Sequence, residues 1–256
     1  MWFDTHINLH NERFDDDRAE VLTRARARGV TDMIEICQDA ANFPRVLSIA
    51  EEHDLWATVG THPHDAKEAT ATADNLVDMA QHPRVVGIGE TGLDFHYNYS
   101  NEAAQRRNFE AHIQACQTTQ LPLVIHSRNA DDMMADMLTA HHREAAFPLL
   151  LHCFTAGPDL ATTVLDLGGY ISFSGILTFK NADDVRKVAV TIPEDRILIE
   201  TDCPYLTPVP HRGERCEPWH VGLVGEYLAQ LRGWSVEDCA ALTSANAYAC
   251  FPKAVR

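Results

Sequence analysis

The feature that most constrains the fold of this chain is a regular alternation of short apolar runs with longer amphipathic stretches, which continues along the whole sequence. The apolar runs that have the length of buried strands are residues 2–8, 32–37, 56–61, 85–90, 123–127, 149–152, 170–173 and 197–201. A helical segment is predicted after each run, with the clearest bounds at residues 15–28, 101–119, 158–167 and 218–231. Strands that alternate with helices in this way form parallel sheets.

Repetition of this unit eight times within 256 residues predicts a closed (β/α)₈ barrel of the TIM type. We expect one catalytic domain over residues 1–256, with an extra C-terminal helix around residues 236–248. The alternative is an open, doubly wound sheet. It is less favoured because no Gly-x-Gly-x-x-Gly motif follows the first predicted strand.

Charge and composition restrict the partners of the chain. The sum of 21 basic and 37 acidic residues is −16, which argues against a broad basic surface that grips long duplex DNA. A substrate held at one end by a bound metal ion stays compatible with this charge, because the ion supplies positive charge locally. Seven scattered cysteines without a Cys-x-x-Cys pair indicate reduced thiols. With no signal-peptide pattern and no long apolar run, we expect a cytoplasmic protein without a membrane partner.

Side chains suited to metal binding come at the ends of the predicted strands. They are His6, Glu90, His126, His152 and Asp202. Each of them alone has a plain structural explanation, such as a hydrogen-bonded histidine or a turn-forming aspartate. In a barrel, however, the C-terminal ends of all strands converge on one rim. A group of imidazoles and carboxylates at that rim predicts a divalent-metal site.

Four segments carry a resemblance to a known family. The runs GETGLD at Glu90, VIHSR at His126, HCF at His152 and ETDCPYL at Asp202 resemble, in order and spacing, the TatD-family metal-dependent deoxyribonucleases. The segments GTHPH at His62 and RGERCEPWH also fit this pattern, so that the resemblance covers essentially the whole chain. It implies a barrel of the amidohydrolase type that hydrolyses phosphodiester bonds in DNA.

The first strand departs from the family pattern. Most members have His-x-His there, whereas this chain has His6-Ile7-Asn8, and His10 is displaced too far along the chain to substitute. The founding TatD branch also has Asn at this point, and the chain looks most similar to that branch. This similarity implies a 3′→5′ exonuclease that uses Mg²⁺ on single-stranded DNA or RNA ends, in DNA repair or turnover.

The resemblance also implies which site residues bind metal and which are catalytic. One metal ion would be held by Glu90, His126 and His152, and a second by His6, Asp202 and a bridging Glu90. Mg²⁺ is the expected ion, with Mn²⁺ or Zn²⁺ as alternatives, at one or two ions per chain. Glu90 and Asp202 are the predicted catalytic residues, and Asp202 is expected to orient the attacking water and accept its proton. We expect the Glu90/His126/His152 group to bind more readily, since the amide of Asn8 replaces an imidazole in the other.

Residues around this site are predicted to bind the nucleic acid. Those expected to contact phosphates are His62, His64, Arg128 and Arg215. Tyr205 and Phe95 are expected to offer stacking surfaces for bases. Asp94 is expected to support Glu90 or its loop. We expect a monomer.

Two other functions stay open on the sequence. Because a fold does not fix a function, a metal-dependent hydrolase of amides, lactones or phosphotriesters has the same architecture. The second is a catalytically weakened module that binds nucleic acid or protein, for which Asn8 is the motivating feature. The retention of Glu90, His126, His152 and Asp202 disfavours this second alternative.

Overall fold

The predicted strands lie side by side in chain order. A computed structural model describes residues 1–97 and 99–255, and the eight strands within them form one parallel sheet in the order β1 to β8. The strands are β1 Trp2–Ile7, β2 Val30–Glu35, β3 Trp56–Val59, β4 Val85–Asp94, β5 Leu123–Arg128, β6 Leu149–Leu151, β7 Tyr170–Phe173 and β8 Ile197–Ile199. This arrangement confirms the (β/α)₈ barrel and excludes the open sheet, whose strand order would differ.

Helices follow the strands on the outside of the barrel. They are α1 Arg18–Ala27, α2 Phe43–His53, α3 Ala73–Ala80, α4 Glu102–Thr119, α5 Asp131–Glu144, α6 Pro158–Asp166, α7 Asp183–Ala189, α8 Val221–Arg232 and α9 Val236–Cys250. The predicted helices at 15–28 and 218–231 begin late, because 3₁₀ turns at Glu12–Phe14 and Pro218–His220 precede them. No helix in the described ranges is both long and apolar enough to cross a bilayer.

The barrel closes beside the predicted site. Ile7 at the end of β1 forms a parallel bridge with Cys203, just beyond β8. The Asp202 amide donates to the His6 carbonyl at 3.0 Å, and the Asn8 amide donates to the Cys203 carbonyl at 3.0 Å. Residues almost 200 positions apart therefore share one edge of the barrel.

The interior of the barrel changes from apolar to polar along the strands. Near the strand N-termini, side chains such as Val124, Leu150 and Leu198 form a buried layer that Phe251, after α9, helps to close. Successive side chains of a strand alternate between its two faces, so positions two apart point the same way. His126 and His152 follow Val124 and Leu150 by two positions. They therefore point into the barrel above the apolar layer.

Strand β4 is longer than predicted. It continues past residue 90 to Asp94, and its last residues pair with β5 through Thr91–Ile125, Gly92–His126 and Asp94–Arg128. Gly92 has a φ of 142°, and a Cβ there would lie 2.0 Å from the His126 carbonyl oxygen. Glycine alone fits this close approach. Glu90 consequently lies within the strand and not at its end.

Candidate metal centre at the C-terminal mouth of the barrel

Glu90 is the centre of the predicted site. It is 2 % exposed, and imidazole nitrogens surround both of its carboxylate oxygens. Oε1 lies 2.7 Å from His152 Nε2, 3.3 Å from His126 Nδ1 and 3.4 Å from His62 Nε2. Oε2 lies 3.4 Å from His6 Nε2. One carboxylate is thus shared by histidines from four segments of the chain.

These side chains form two groups with metal-binding geometry. His6, Glu90 and His152 form one, and His62, Glu90 and His126 form the other, each with one ligand atom per residue within 4.8 Å of the rest. The groups differ from those expected from the sequence. His152 lies with His6, because their rings stack at 4.1 Å, and His62, expected to contact phosphate, lies in the group of His126.

Asp202 lies beside the first group and is oriented by Asn8. Its Oδ1 atom is 3.6 Å from His6 Nε2 and accepts a hydrogen bond from Asn8 Nδ2 at 3.1 Å. Asn8 Nδ2 also donates to the Cys203 carbonyl at 3.1 Å, so that its NH₂ group, and not its oxygen, faces Asp202. Asn8 therefore positions the carboxylate through its NH₂ group, and its buried Oδ1 atom has no hydrogen-bond partner among the described residues. Burial raises the pKa of Asp202 to about 6.

Two further carboxylates contact the ring nitrogens of the histidines that face away from Glu90. Glu200 Oε1 lies 3.1 Å from His152 Nδ1. Asp94 Oδ2 lies 3.2 Å from His126 Nε2 and 2.8 Å from His64 Nε2. Metal-ligating histidines commonly bind a carboxylate through their second nitrogen, which fixes the ring orientation. Asp94 thus supports two histidines rather than Glu90 itself.

Glu200 is not among the predicted site residues, although its position in the sequence indicates it. Glu200 precedes Asp202 by two positions in the run ETD. Residues two apart on an extended chain point to the same side, so the spacing from Asp202 is the signal that indicates Glu200. Glu200 is fully buried, as this spacing requires.

Burial and mutual charge set the protonation of the centre. Burial would raise the pKa of Glu90, but the imidazoles of His152, His62 and His6 outweigh it and hold this pKa well below its usual value. For His152, burial lowers the pKa, but Glu90 and Glu200 raise it well above the ordinary value. Burial lowers the pKa of His62 to about 4, so its ring is neutral at pH 7. The centre therefore combines an anionic carboxylate with at least one neutral imidazole.

Several buried polar atoms of the centre have no hydrogen-bond partner among the described residues. They are Nδ1 and Nε2 of His6, Oδ1 of Asn8, Oε2 of Glu90, Oε2 of Glu200 and Nε2 of His152, the last of which lies 2.7 Å from Glu90 Oε1 without hydrogen-bond geometry. Leaving buried polar atoms unpaired costs about 1–3 kcal/mol each. Coordination of one nitrogen of each histidine and of the Glu90 carboxylate to a divalent cation removes part of this cost, so these residues fit a metal site.

A cavity of about 630 Å³ opens above the centre. His64, Tyr97, Tyr99, Arg128 and Tyr205 line it together with the metal-binding groups. The rings of Tyr97 and Tyr99 are nearly parallel at 5.5 Å, and the Arg128 guanidinium lies 4.8 Å from the Tyr97 ring centroid. Tyr205 is 45 % exposed. The cavity thus has a polar floor and a wall of aromatic and cationic side chains.

Two residues predicted to contact substrate lie elsewhere. Arg215 binds both carboxylate oxygens of Asp17, at 2.8 and 2.7 Å, and Glu217 at 3.1 Å. It is not among the described residues that line the cavity, so the structure does not bring Arg215 into the site. Its charge is complemented by two local carboxylates. Phe95 is partly buried and packs against the core. It lines a neighbouring pocket instead of this cavity.

Comparison with known proteins identifies the family. The model of the TatD related DNase family matches residues 3–252. The chain belongs to this TatD family. It is 38 % identical, over 98 % of its length and 99 % of the relative, to the uncharacterized metal-dependent hydrolase YabD of Bacillus subtilis. It is 34 % identical to the 3′-5′ ssDNA/RNA exonuclease TatD of Salmonella typhimurium, over 97 % of its own length and 98 % of the relative.

A solved structure agrees with this assignment. The TatD homologue YjjV of Escherichia coli K12 superimposes on the chain with a TM-score of 0.87 at 28 % identity, and 98 % of each chain is covered. The chain is therefore a metal-dependent hydrolase of the TatD family with His and Glu side chains grouped for metal binding.

Glu200 provides a test of how the TatD-family site is supported. Glu200→Gln removes the charge that faces His152 Nδ1, and we expect metal affinity to fall about 10- to 100-fold. Activity should recover at high metal concentration. Metal titrations of the wild type and the variant measure this shift. Glu144→Gln, which removes the partner of His141 on the surface, is the matched control. Equal metal affinities for E200Q and the wild type would contradict the supporting role.

The loop that carries His62 is held by helix α4. His112 Nε2 accepts a hydrogen bond from the Thr61 amide at 2.9 Å, and Asn108 Nδ2 donates to the Thr61 carbonyl at 2.7 Å. Neither residue is among the predicted site residues, although they are polar residues four apart on the predicted helix 101–119. Positions four apart share one helix face, so both side chains turn inward together.

His112 is expected to make stability depend on pH. Burial lowers the pKa of His112 to about 4 in the folded chain. Above the unfolded value of 6.5 the ring is neutral in both states. As the pH falls from 6.5 to 4, only the unfolded chain takes up the proton. The free energy of unfolding therefore decreases by on the order of 3 kcal/mol. Denaturant unfolding of the wild type and His112→Gln between pH 7.5 and 4.5 tests this. The variant should have the shallower pH dependence, and parallel curves would refute the prediction.

Proposed function

We propose that this TatD-family hydrolase is a metal-dependent 3′→5′ exonuclease that acts on the ends of single-stranded DNA. The observation that carries the proposal is the position of Glu90, a buried anion shared by two histidine groups at the floor of a cavity that opens on one side. Such a floor suits the hydrolysis of a charged ester, because a bound cation offsets the negative charge of the phosphate. We also propose that the enzyme acts in DNA repair or turnover.

The form of the cavity supports action at a strand end. The buried apolar layer fills the other end of the barrel, so we infer that a nucleic acid enters at the mouth. A net charge of −16 repels a long polyanion, whereas a few terminal nucleotides meet the local cation and Arg128. The exposed rings of Tyr97, Tyr99 and Tyr205 are placed to stack on bases, at about 1–3 kcal/mol per base.

The residues have separate tasks in the proposed reaction. Water attacks the phosphorus, the bond from phosphorus to the 3′ oxygen breaks, and a nucleoside 5′-monophosphate leaves. A divalent ion, when bound by Glu90 and the histidines, activates water and stabilises charge on the phosphoryl group. Asp202, held by Asn8, accepts the proton of the attacking water. Arg128 and His64 at the wall contact the phosphate, and the departing 3′ oxygen takes a proton from solvent at the mouth.

The experiment is a time course on single and double strands labelled at the 5′ or the 3′ end. Each reaction contains Mg²⁺, Mn²⁺, Zn²⁺ or a chelator. We expect 5′-labelled single strands to shorten stepwise, 3′ label to appear at once as mononucleotide, duplexes to react slowly, and the chelator to stop the reaction. Release of the 5′ label first would show that the enzyme degrades strands in the opposite, 5′→3′ direction. An absence of product with every metal would favour a binding module, and turnover of amides, lactones or phosphotriesters alone would assign a different hydrolase.

A further inference from the structure

A third group of metal-ligating side chains lies outside the Glu90 centre. His211, Glu214 and His220, in the segment between β8 and α8, each place one ligand atom within 4.8 Å of the others. His211 Nδ1 is 3.1 Å from Glu214 Oε2. None of the three is among the described residues that line the cavity above Glu90. The group is therefore separate from the proposed catalytic site.

His220 is the residue that points to a ligand. Its side chain is 1 % exposed, and its Nε2 atom has no hydrogen-bond partner in the described part of the chain. Its Nδ1 atom is 3.0 Å from the Glu217 carbonyl oxygen and 2.9 Å from the Glu217 amide nitrogen, which donates to it in the other tautomer. An ion at Nε2 selects the tautomer in which Nδ1 donates to the carbonyl, and the hydrogen bond from the Glu217 amide is then lost. A buried nitrogen of this kind is costly when it is unpaired, and a metal ion satisfies it.

The rings around His220 hold it in place. Trp219 stacks on it with centroids 3.7 Å apart, and the ring of His211 lies 5.3 Å away. The stacked indole restricts the rotation of the buried ring. Glu214 has a side chain that is 63 % exposed, so one side of the group is open to solvent. An ion can thus enter without opening the core.

We propose that His211, Glu214 and His220 bind one Zn²⁺ ion. Two imidazoles and one carboxylate form a ligand set that zinc uses in proteins, with water at the fourth position. The mixed set with two nitrogens disfavours Mg²⁺ and Ca²⁺, which prefer oxygen ligands. No group in this site takes part in the hydrolysis proposed above.

The ion has a structural task at this position. Thr207 Oγ1 donates to the Glu214 carbonyl at 2.7 Å, and the Glu214 amide donates to the His211 carbonyl at 3.1 Å, so that residues 207–214 form a compact turn. His220 ends the 3₁₀ turn Pro218–His220 that leads into α8. A shared ion joins the two turns. It thereby stabilises the segment that also carries Tyr205 at the wall of the cavity.

The test measures bound zinc, not catalysis. The full chain is stripped with chelator and titrated with Zn²⁺ by calorimetry, and bound zinc is counted by elemental analysis after dialysis. His211→Ala and Glu214→Gln alter exposed ligands and leave buried His220 in place. His142→Ala, which removes a histidine of α5, is the matched control. We expect H211A and E214Q each to weaken one zinc equivalent at least 10-fold, and H142A to bind zinc like the wild type.

A second measurement separates this site from the Glu90 centre. Glu90→Gln should keep the zinc equivalent that H211A loses, and the thermal midpoint of E90Q should still rise with added Zn²⁺. Zinc stoichiometry and thermal gain in H211A and E214Q equal to those of the wild type would overturn the proposal. So would loss of all bound zinc in E90Q. Because no nuclease assay enters the test, failure of the proposed exonuclease leaves this result unaffected.

Discussion

Glu90→Gln is expected to reduce metal-dependent hydrolysis by about 10³-fold or more. The carboxylate contacts four histidines and belongs to both metal-binding groups, so one substitution removes the only negative charge that the two groups share. Loss of several kcal/mol of charge stabilisation corresponds to this factor. Initial rates on a labelled single strand, over a range of metal concentrations, measure the loss.

Glu35→Gln provides the matched control for this experiment. Glu35 is also fully buried in a strand of the barrel, where it accepts a hydrogen bond from the Leu9 amide at 2.9 Å and contacts His10 Nδ1 at 2.7 Å. It belongs to neither group at the Glu90 centre. We expect E35Q to lose stability but to keep its activity per folded molecule. Equal loss of activity in E35Q and E90Q would show that burial, and not metal binding, explains the effect.

Asp202→Asn is expected to lower kcat by about 10²- to 10⁴-fold, the usual contribution of a positioned general base. The amide keeps the size of the side chain but takes up no proton. Asn8 donates to the Asp202 carboxylate, so that the substitution also turns this pair into two amides. Steady-state kinetics at saturating metal, together with a metal titration, measure the effect.

The same variant distinguishes a base from a ligand. If Asp202 accepts the proton, kcat falls while metal affinity stays close to that of the wild type. If Asp202 mainly binds metal, affinity falls first, and excess metal restores the rate. Asp202→Glu retains a carboxylate and should recover part of kcat. Activity of D202N equal to that of the wild type would remove Asp202 from the proposed mechanism.

The motifs predicted the site residues better than their grouping. The ends of the strands carry His126, His152 and Asp202, and strand ends in a parallel barrel converge by geometry. Which histidines share a metal depends on how the rings stack inside the barrel. The contact of His152 with His6, at 4.1 Å, is a contact between residues 146 positions apart, which spacing along the chain does not encode.

Residues that act through others were the hardest to predict. Glu200 and His112 touch a histidine and a loop rather than the cavity, and each has an ordinary sequence context. Arg215 was expected at the phosphate from its basic segment, but Asp17 lies close enough to bind it. A nearby opposite charge decides where an arginine points, and only the folded chain shows which charge is near.

The alternation of strands and helices, and with it the barrel and the rim on which polar side chains collect, can be predicted from the amino-acid sequence. The periodicity of apolar residues and the length of each strand depend on residues that are close together in the sequence. Three features appear only in the folded chain: Glu90 is shared by two histidine groups, Asn8 holds Asp202, and His211, Glu214 and His220 lie close together. These depend on distances across the barrel and its loops, which the packing of the whole chain sets.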